Sequence, residues 1–79
     1  MSESIRAVER ALAVLWCFSR NTPELTLTQI AEQVGLNKST AHRLLATLNQ
    51  NRFLQRDTAT GAYRPGPRLV QFVRTENLR

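Results

Sequence analysis

Between Leu25 and Asn51 the sequence reads LTLTQIAEQVGLNKSTAHRLLATLNQN, with two apolar patterns of helical period separated by one glycine, Gly35. The apolar positions are Ile30, Ala31 and Val34 before the glycine, and Ala41, Leu44, Leu45 and Leu48 after it. Two short helices joined by a turn that contains glycine form a helix-turn-helix, a motif that can place its second helix in a DNA groove. The pattern therefore predicts a helix-turn-helix.

Local capping signals set the bounds of both helices. Thr26 and Gln29 have the spacing of a capping box, in which each side chain bonds the backbone N–H of the other residue. We expect a helix over 27–34, with Gly35 in the left-handed position that follows it. Asn37 is expected to cap the recognition helix over 38–51.

A strongly apolar segment precedes this motif. Ser4 is expected to cap a first helix over 4–19, whose main apolar residues are Ile5, Val8, Ala11, Leu12, Leu15, Trp16 and Phe18. The side that a surface helix would make polar also carries small or apolar residues, namely Ala13, Val14 and Cys17. Either a second subunit covers this side, or small residues are tolerated there at the rim of the core.

After the recognition helix the apolar period changes to two, which predicts a wing hairpin over 53–64 with a glycine at its tip. A two-stranded hairpin is marginal in isolation, so Phe53 or Leu54, together with Tyr63, should face the helices. Residues 24–26 are expected to form a very short strand.

The end of the hairpin leads into a last helix. Arg56 and Arg64 are expected to lie on the outside of the wing. Pro67 suits the first position of a helix because its missing N–H would be unpaired there anyway, so we expect a C-terminal helix over 67–76.

Size and charge narrow the function. A chain of 79 residues has room for a single domain, 1–79. Eleven Lys and Arg against six Asp and Glu give a net charge of +5, the electrostatic footprint of a nucleic-acid binder. Membrane-surface and ribosomal proteins share this balance, so charge alone does not decide.

Other chemistries have no support in the sequence. A single His and a single Cys cannot build a zinc site, and Lys38-Ser39-Thr40 lacks the glycines of a phosphate-binding loop. We therefore expect no enzyme activity, no cofactor and no metal. With one cysteine, no signal peptide and no long apolar run, we expect a cytoplasmic protein without a membrane partner.

Three segments carry a closer likeness: SIRAVERALAVLWCFS, LTLTQIAEQVGLNKSTAHRLLATLNQNRFLQRD and TGAYRPGPRLVQF. They resemble the N-terminal DNA-binding domain of IclR-family transcriptional regulators. That family has a leading helix of the type xVxRALxVL, a recognition helix that reads roughly GLxKSTxHRLLxTL, and Tyr-Arg-x-Gly after the wing. The resemblance covers about Ser4 to Val73 and implies a winged helix-turn-helix, mainly α with a small β-hairpin, that binds double-stranded DNA sequence-specifically.

Two features depart from the family pattern. Pro65-Gly66-Pro67 is richer in proline than the usual Leu-Gly ending of the wing. The larger C-terminal domain that binds a small-molecule effector in the family is absent, so the chain is a fragment, a truncated chain or a stand-alone reader. If it is a fragment, 67–79 is expected to be the linker helix to that effector domain.

The resemblance and the helical positions together assign the DNA contacts. Arg43 can bond a guanine bidentately, and the hydroxyls of Ser39 and Thr40 are short enough to let the helix approach base edges. Contacts with DNA phosphates are expected from Thr28, Lys38 and His42 on the helices. Contacts with the neighbouring backbone or the minor groove are expected from Arg56, Thr60 and Arg64 on the wing. The expected partner is a pseudo-palindromic operator bound by a homodimer.

Two alternatives stand beside this prediction. A winged helix can serve as a protein-interaction module, but the exposed helix face would then carry apolar rather than small polar side chains. Another DNA-binding winged-helix family, such as the MarR-like repressors, is disfavoured by the leading VERAL helix and by the short chain.

Overall fold

The computed structural model describes residues 4–19 and 21–76. Within them the elements follow one another as α1 (Arg6–Trp16), α2 (Leu27–Val34), α3 (Lys38–Gln50), β1 (Leu54–Arg56), β2 (Tyr63–Pro65) and α4 (Pro67–Glu76). This order confirms the predicted winged helix-turn-helix. No helix in the described part of the chain is long and apolar enough to cross a membrane.

The turn between α2 and α3 is built as the capping signals predict. The Thr26 N–H donates to Gln29 Oε1 at 2.8 Å, and the Gln29 N–H donates to Thr26 Oγ1 at 3.2 Å. Gly35 follows α2 in the left-handed conformation with φ of 71°, where a side chain would be strained. The Thr40 N–H donates to Asn37 Oδ1 at 2.9 Å, and α3 ends at Gln50, one residue before the predicted end.

The core lies where α1, the helix-turn-helix and the hairpin meet. Its buried members are Val14, Leu25, Ile30, Leu45, Leu54 and Tyr63. Ala31 and Ala41 are also buried, so the two helices of the motif approach each other through small side chains. Burial of this kind supplies most of the stability of a small domain, and it fixes the orientation of α3.

The wing is joined to the segment before α2. β1 and β2 pair antiparallel, with Leu54 opposite Pro65. The N–H of Leu25 donates to the Tyr63 carbonyl at 2.9 Å, and the N–H of Tyr63 donates to the Leu25 carbonyl at 2.7 Å. The very short strand predicted at 24–26 is reduced to this single bridge at Leu25, which adds a third strand position to the hairpin.

The hairpin begins later than predicted because the end of α3 holds Phe53. The Phe53 N–H donates to the Leu48 carbonyl at 2.9 Å, so the strand starts at Leu54. Arg52, just before it, has a positive φ of 68°. The second strand extends to Pro65, which an edge position tolerates.

The predictions for α1 need correction. The helix begins at Arg6 after Ile5, with no side-chain cap, so Ser4 is not the N-cap. It ends at Trp16, not Ser19, because a tight turn follows in which Ser19 and Thr22 exchange backbone hydrogen bonds of 3.1 Å.

The buried side of α1 also differs from the predicted one. Val14, assigned to the second face, is fully buried, whereas Trp16 is 87% exposed. The exposed apolar side chains of this helix, and of the residue just before it, are Ile5, Val8, Leu12 and Trp16. The buried side combines the two sets, because Leu15, Cys17 and Phe18 pack against the core beside Val14, whereas Ala13 is exposed.

Candidate nucleic-acid interface

The first turn of α3 presents unpaired backbone donors to solvent. Asn37 accepts the N–H of Thr40, while the N–H groups of Lys38 and Ser39 have no acceptor in the described part of the chain. Lys38 and Ser39 are exposed, and Thr40 is half-buried. Free N–H groups at a helix start, together with the positive end of the helix dipole, favour an anion such as a phosphate.

One face of α3 is exposed and carries polar and small side chains. Arg43 and Gln50 are exposed on it together with Ser39, and Ala46 lies among them. No carboxylate in the described residues pairs with Arg43. Because this face lacks a large apolar side chain, it does not match the interface expected of a protein-interaction module.

The opposite face of α3 is fixed to the core. Ala41 and Leu45 are fully buried, whereas Leu44 and Leu48 are half-buried and line an apolar groove against α1. The Thr47 hydroxyl donates to the Arg43 carbonyl at 2.9 Å, a bond within α3 itself. The exposed face is therefore held in one direction by buried side chains.

The remaining helical candidates flank this face. His42 is exposed on α3, and Thr28 is exposed at the second position of α2. The two helices pack against each other.

The loop of the wing is shaped by Asp57. Asp57 Oδ1 accepts the N–H of Ala59 at 2.8 Å and that of Thr60 at 3.3 Å, an arrangement typical of Asx turns. Thr60 is exposed, and its hydroxyl oxygen accepts the N–H of Ala62 at 3.2 Å. Arg56 is exposed, and its Nη2 lies 3.4 Å from the position that a Cβ on Gly61 would take.

Arg64 was predicted to lie on the outside of the wing, but its position differs. It is half-buried, with Nη2 3.3 Å from Asp57 Oδ2 and Nη1 3.9 Å from Glu24 Oε2. Asp57 lies seven residues away in the same hairpin, whereas Glu24 comes from the segment before α2, and neither pair was predicted from the sequence. Arg64 thus links the wing loop to the segment that precedes α2.

Arg10 on α1 is a candidate that the sequence analysis did not assign. It is half-buried and lines a cleft of about 260 Å³ between α1 and α3, together with Thr40, Arg43 and Thr47. Helix periodicity places Arg10 on α1, but only the packing of α1 against α3 brings it beside the recognition helix.

Cys17 lies outside the candidate interface. It is half-buried, and its Sγ donates to the Ala13 carbonyl at 3.4 Å. Burial raises the pKa of the Cys17 thiol, which lowers its thiolate fraction and hence its reactivity.

Comparison with known proteins identifies the family. The family model of the IclR helix-turn-helix domain matches residues 7–58. The chain is 42% identical over 67 residues to the HTH-type transcriptional regulator XynR of Escherichia coli K12, a match that covers 85% of this chain and 27% of that protein. It is 39% identical over 75 residues to the glycerol operon regulatory protein of Streptomyces coelicolor, covering 95% of this chain and 30% of that protein.

Solved structures agree. An IclR-family transcriptional regulator from Brucella abortus superposes with a TM-score of 0.84 at 31% identity, covering 89% of this chain and 26% of that one. A transcriptional regulator from Alicyclobacillus acidocaldarius gives a TM-score of 0.83 at 34% identity, covering 89% and 28%. The chain spans less than a third of the length of these relatives. It belongs to the IclR helix-turn-helix domain family.

Proposed function

We propose that the chain binds its operator with α3 in the major groove, where Ser39, Thr40 and Arg43 contact base edges. The observation that carries this proposal is the exposed α3 face, on which small side chains surround an Arg43 without a carboxylate partner in the described residues. Small neighbours let the helix backbone approach the bases, and the guanidinium can bond guanine O6 and N7 together.

Phosphate contacts hold the helix in register. Lys38 and His42 lie in the first turns of α3, where the unpaired N–H groups of Lys38 and Ser39 add backbone donors. Thr28 contributes a hydroxyl from the start of α2. Such contacts position a protein on the duplex without reading its sequence.

The wing contacts the neighbouring backbone or minor groove. Arg56 and Thr60 are exposed at the loop, which supports a direct contact. Arg64 is near the same surface, but its pairs with Asp57 and Glu24 support mainly a role in holding the loop.

The chain acts as a homodimer on a pseudo-palindromic site. Support comes from the exposed apolar side chains of α1, which a single copy leaves in water. Val70, Phe72 and Val73 on α4 are exposed as well. Since the relatives are more than three times as long, we assign 67–79 as the linker to an effector-binding domain, in a protein of the cytoplasm.

Selection of bound duplexes from a random-sequence library tests the proposal. The chain should enrich a motif with two related half-sites, and binding to it should weaken about 10³–10⁵-fold between 50 and 200 mM salt if roughly 6–10 phosphates are contacted. Enrichment of no motif, or binding that does not respond to salt, would contradict the proposal.

A further inference from the structure

Two arginine residues line the cleft between α1 and α3. Arg10 comes from α1 and Arg43 from α3, and the Thr40 and Thr47 side chains complete the polar part of the lining. The apolar part of the lining is Ala7 and Leu44. The cleft is open to solvent and has a volume of about 260 Å³, enough for a phosphate group and water.

No carboxylate in the described residues neutralises this pair. The recorded ion pairs of the described chain both belong to Arg64. Glu9 is next to Arg10 in sequence, but neighbouring residues on a helix point apart, and Glu9 lines a different groove with Trp16 and Val34. Arg6, one turn before Arg10 on α1, adds a further positive charge near the same side. Like charges brought together in this way favour an anion between them.

The cleft lies beside the reading face of α3. Thr40 and Thr47 are roughly a quarter-turn around the helix from the centre of the face that carries Ser39 and Gln50, with Arg43 between. Lys38 and His42 lie on the opposite flank. A helix in the major groove has a phosphate backbone on each side, because the groove is only about 12 Å wide.

We infer that Arg10 binds a DNA phosphate on the strand opposite the one held by Lys38 and His42. Arg43 then extends past the cleft toward the bases, and α1 serves as a second clamp on the duplex. The inference rests on the proposed function, since it assumes that α3 enters the groove. It adds to that function a residue outside the helix-turn-helix.

The test measures salt dependence on the best duplex from the random-library selection. Arg10→Ala should reduce the magnitude of the slope of log K against log[salt] by about 0.9 for each Arg10 in the complex. The loss of affinity between 50 and 200 mM salt then becomes about 3.5-fold smaller for each Arg10 removed. Its selected motif should equal that of the unaltered chain, because phosphate contacts do not read sequence. Arg10→Lys should retain the slope, and Arg74→Ala, which removes an exposed charge from α4, is the matched control.

Neutral methylphosphonates placed singly along each strand locate the contact. One substitution on the α1 side should weaken binding of the unaltered chain and leave Arg10→Ala unaffected. Provided that the unaltered chain binds its motif, two results would show the inference to be wrong. Arg10→Ala could change the salt slope no more than Arg74→Ala does. Alternatively, methylphosphonates could weaken the binding of Arg10→Ala at all the positions where they weaken the binding of the unaltered chain. Failure of the unaltered chain to select any motif would instead overturn the proposed function. Circular dichroism melting checks that each variant is folded.

Discussion

Arg43 and Arg64 differ in whether a nearby carboxylate pairs with the guanidinium group. Arg64 is half-buried and paired with Asp57 and Glu24, so its charge is already compensated within the domain. Arg43 is exposed with no carboxylate partner in the described chain, so a DNA group can compensate it. Residue type alone did not separate the two, since sequence analysis assigned both to DNA.

Gly66 is a residue whose role comes from close backbone packing. A Cβ at this position would collide with the Arg52 carbonyl oxygen and lie 2.9 Å from the Leu54 nitrogen. The same segment is tied by bonds of 2.8 Å from the Gly66 N–H to the Phe53 carbonyl and 3.0 Å from the Arg68 N–H to the Arg52 carbonyl. The sequence marked Pro65-Gly66-Pro67 as the ending of the wing, but it could not reveal that the Arg52 and Leu54 backbone lies against Gly66.

We therefore expect Gly66→Ala to destabilise the domain by roughly 1–3 kcal/mol, because the crossing backbone must shift. Urea unfolding followed by circular dichroism measures the change. Thr58→Ala in the exposed wing loop is the control and should stay within about 0.5 kcal/mol of the unaltered chain. An unfolding midpoint for Gly66→Ala equal to that of Thr58→Ala would contradict the packing argument.

At the level of elements, the bounds of α2 and α4 were predictable from the sequence, whereas the bounds and the buried side of α1 were not. The bounds 27–34 and 67–76 agree with the structure because a capping box, a left-handed glycine and an N-terminal proline act locally. The first helix has two apolar faces, and its sequence cannot say which one the rest of the domain covers. The position of Arg10 beside α3 depends on the same packing, which is why the sequence did not place it at the interface.

The wing loop depends more on Asp57 than on the ion pair that Arg64 makes. Arg64→Gln removes a pair whose side chains are 42% and 27% exposed, so it should cost less than about 1 kcal/mol. Asp57→Ala also removes the acceptor of the Ala59 and Thr60 N–H groups, and should cost roughly 1–2 kcal/mol.

Thermal unfolding of the two variants compares these costs, with Gln55→Ala on the exposed side of β1 as the control. A larger loss for Arg64→Gln than for Asp57→Ala would contradict the assignment of Asp57 as the loop acceptor that matters most.

For the molecule as a whole, the proposed dimer rests on the exposed apolar side chains of α1. Leu12 is 59% exposed, so Leu12→Glu should hardly affect folding, yet it places a charge in the proposed dimer interface. We expect the dimer to weaken at least about tenfold, equivalent to about 1.4 kcal/mol. Sedimentation equilibrium measures this, and Asn21→Glu at another exposed position is the control. Equal dimer affinities for the two variants would exclude α1 as the interface.

Selection from random duplexes with Arg43→Ala tests whether the exposed face of α3 reads base sequence. We expect Arg43→Ala to lose preference at one base position per half-site, at a cost of about 1–3 kcal/mol there. Lys38→Ala should select the unaltered motif with uniformly weaker binding. If Arg43→Ala selected the same motif with the same affinity as the unaltered chain, α3 would not read DNA through this face, and the account would be wrong.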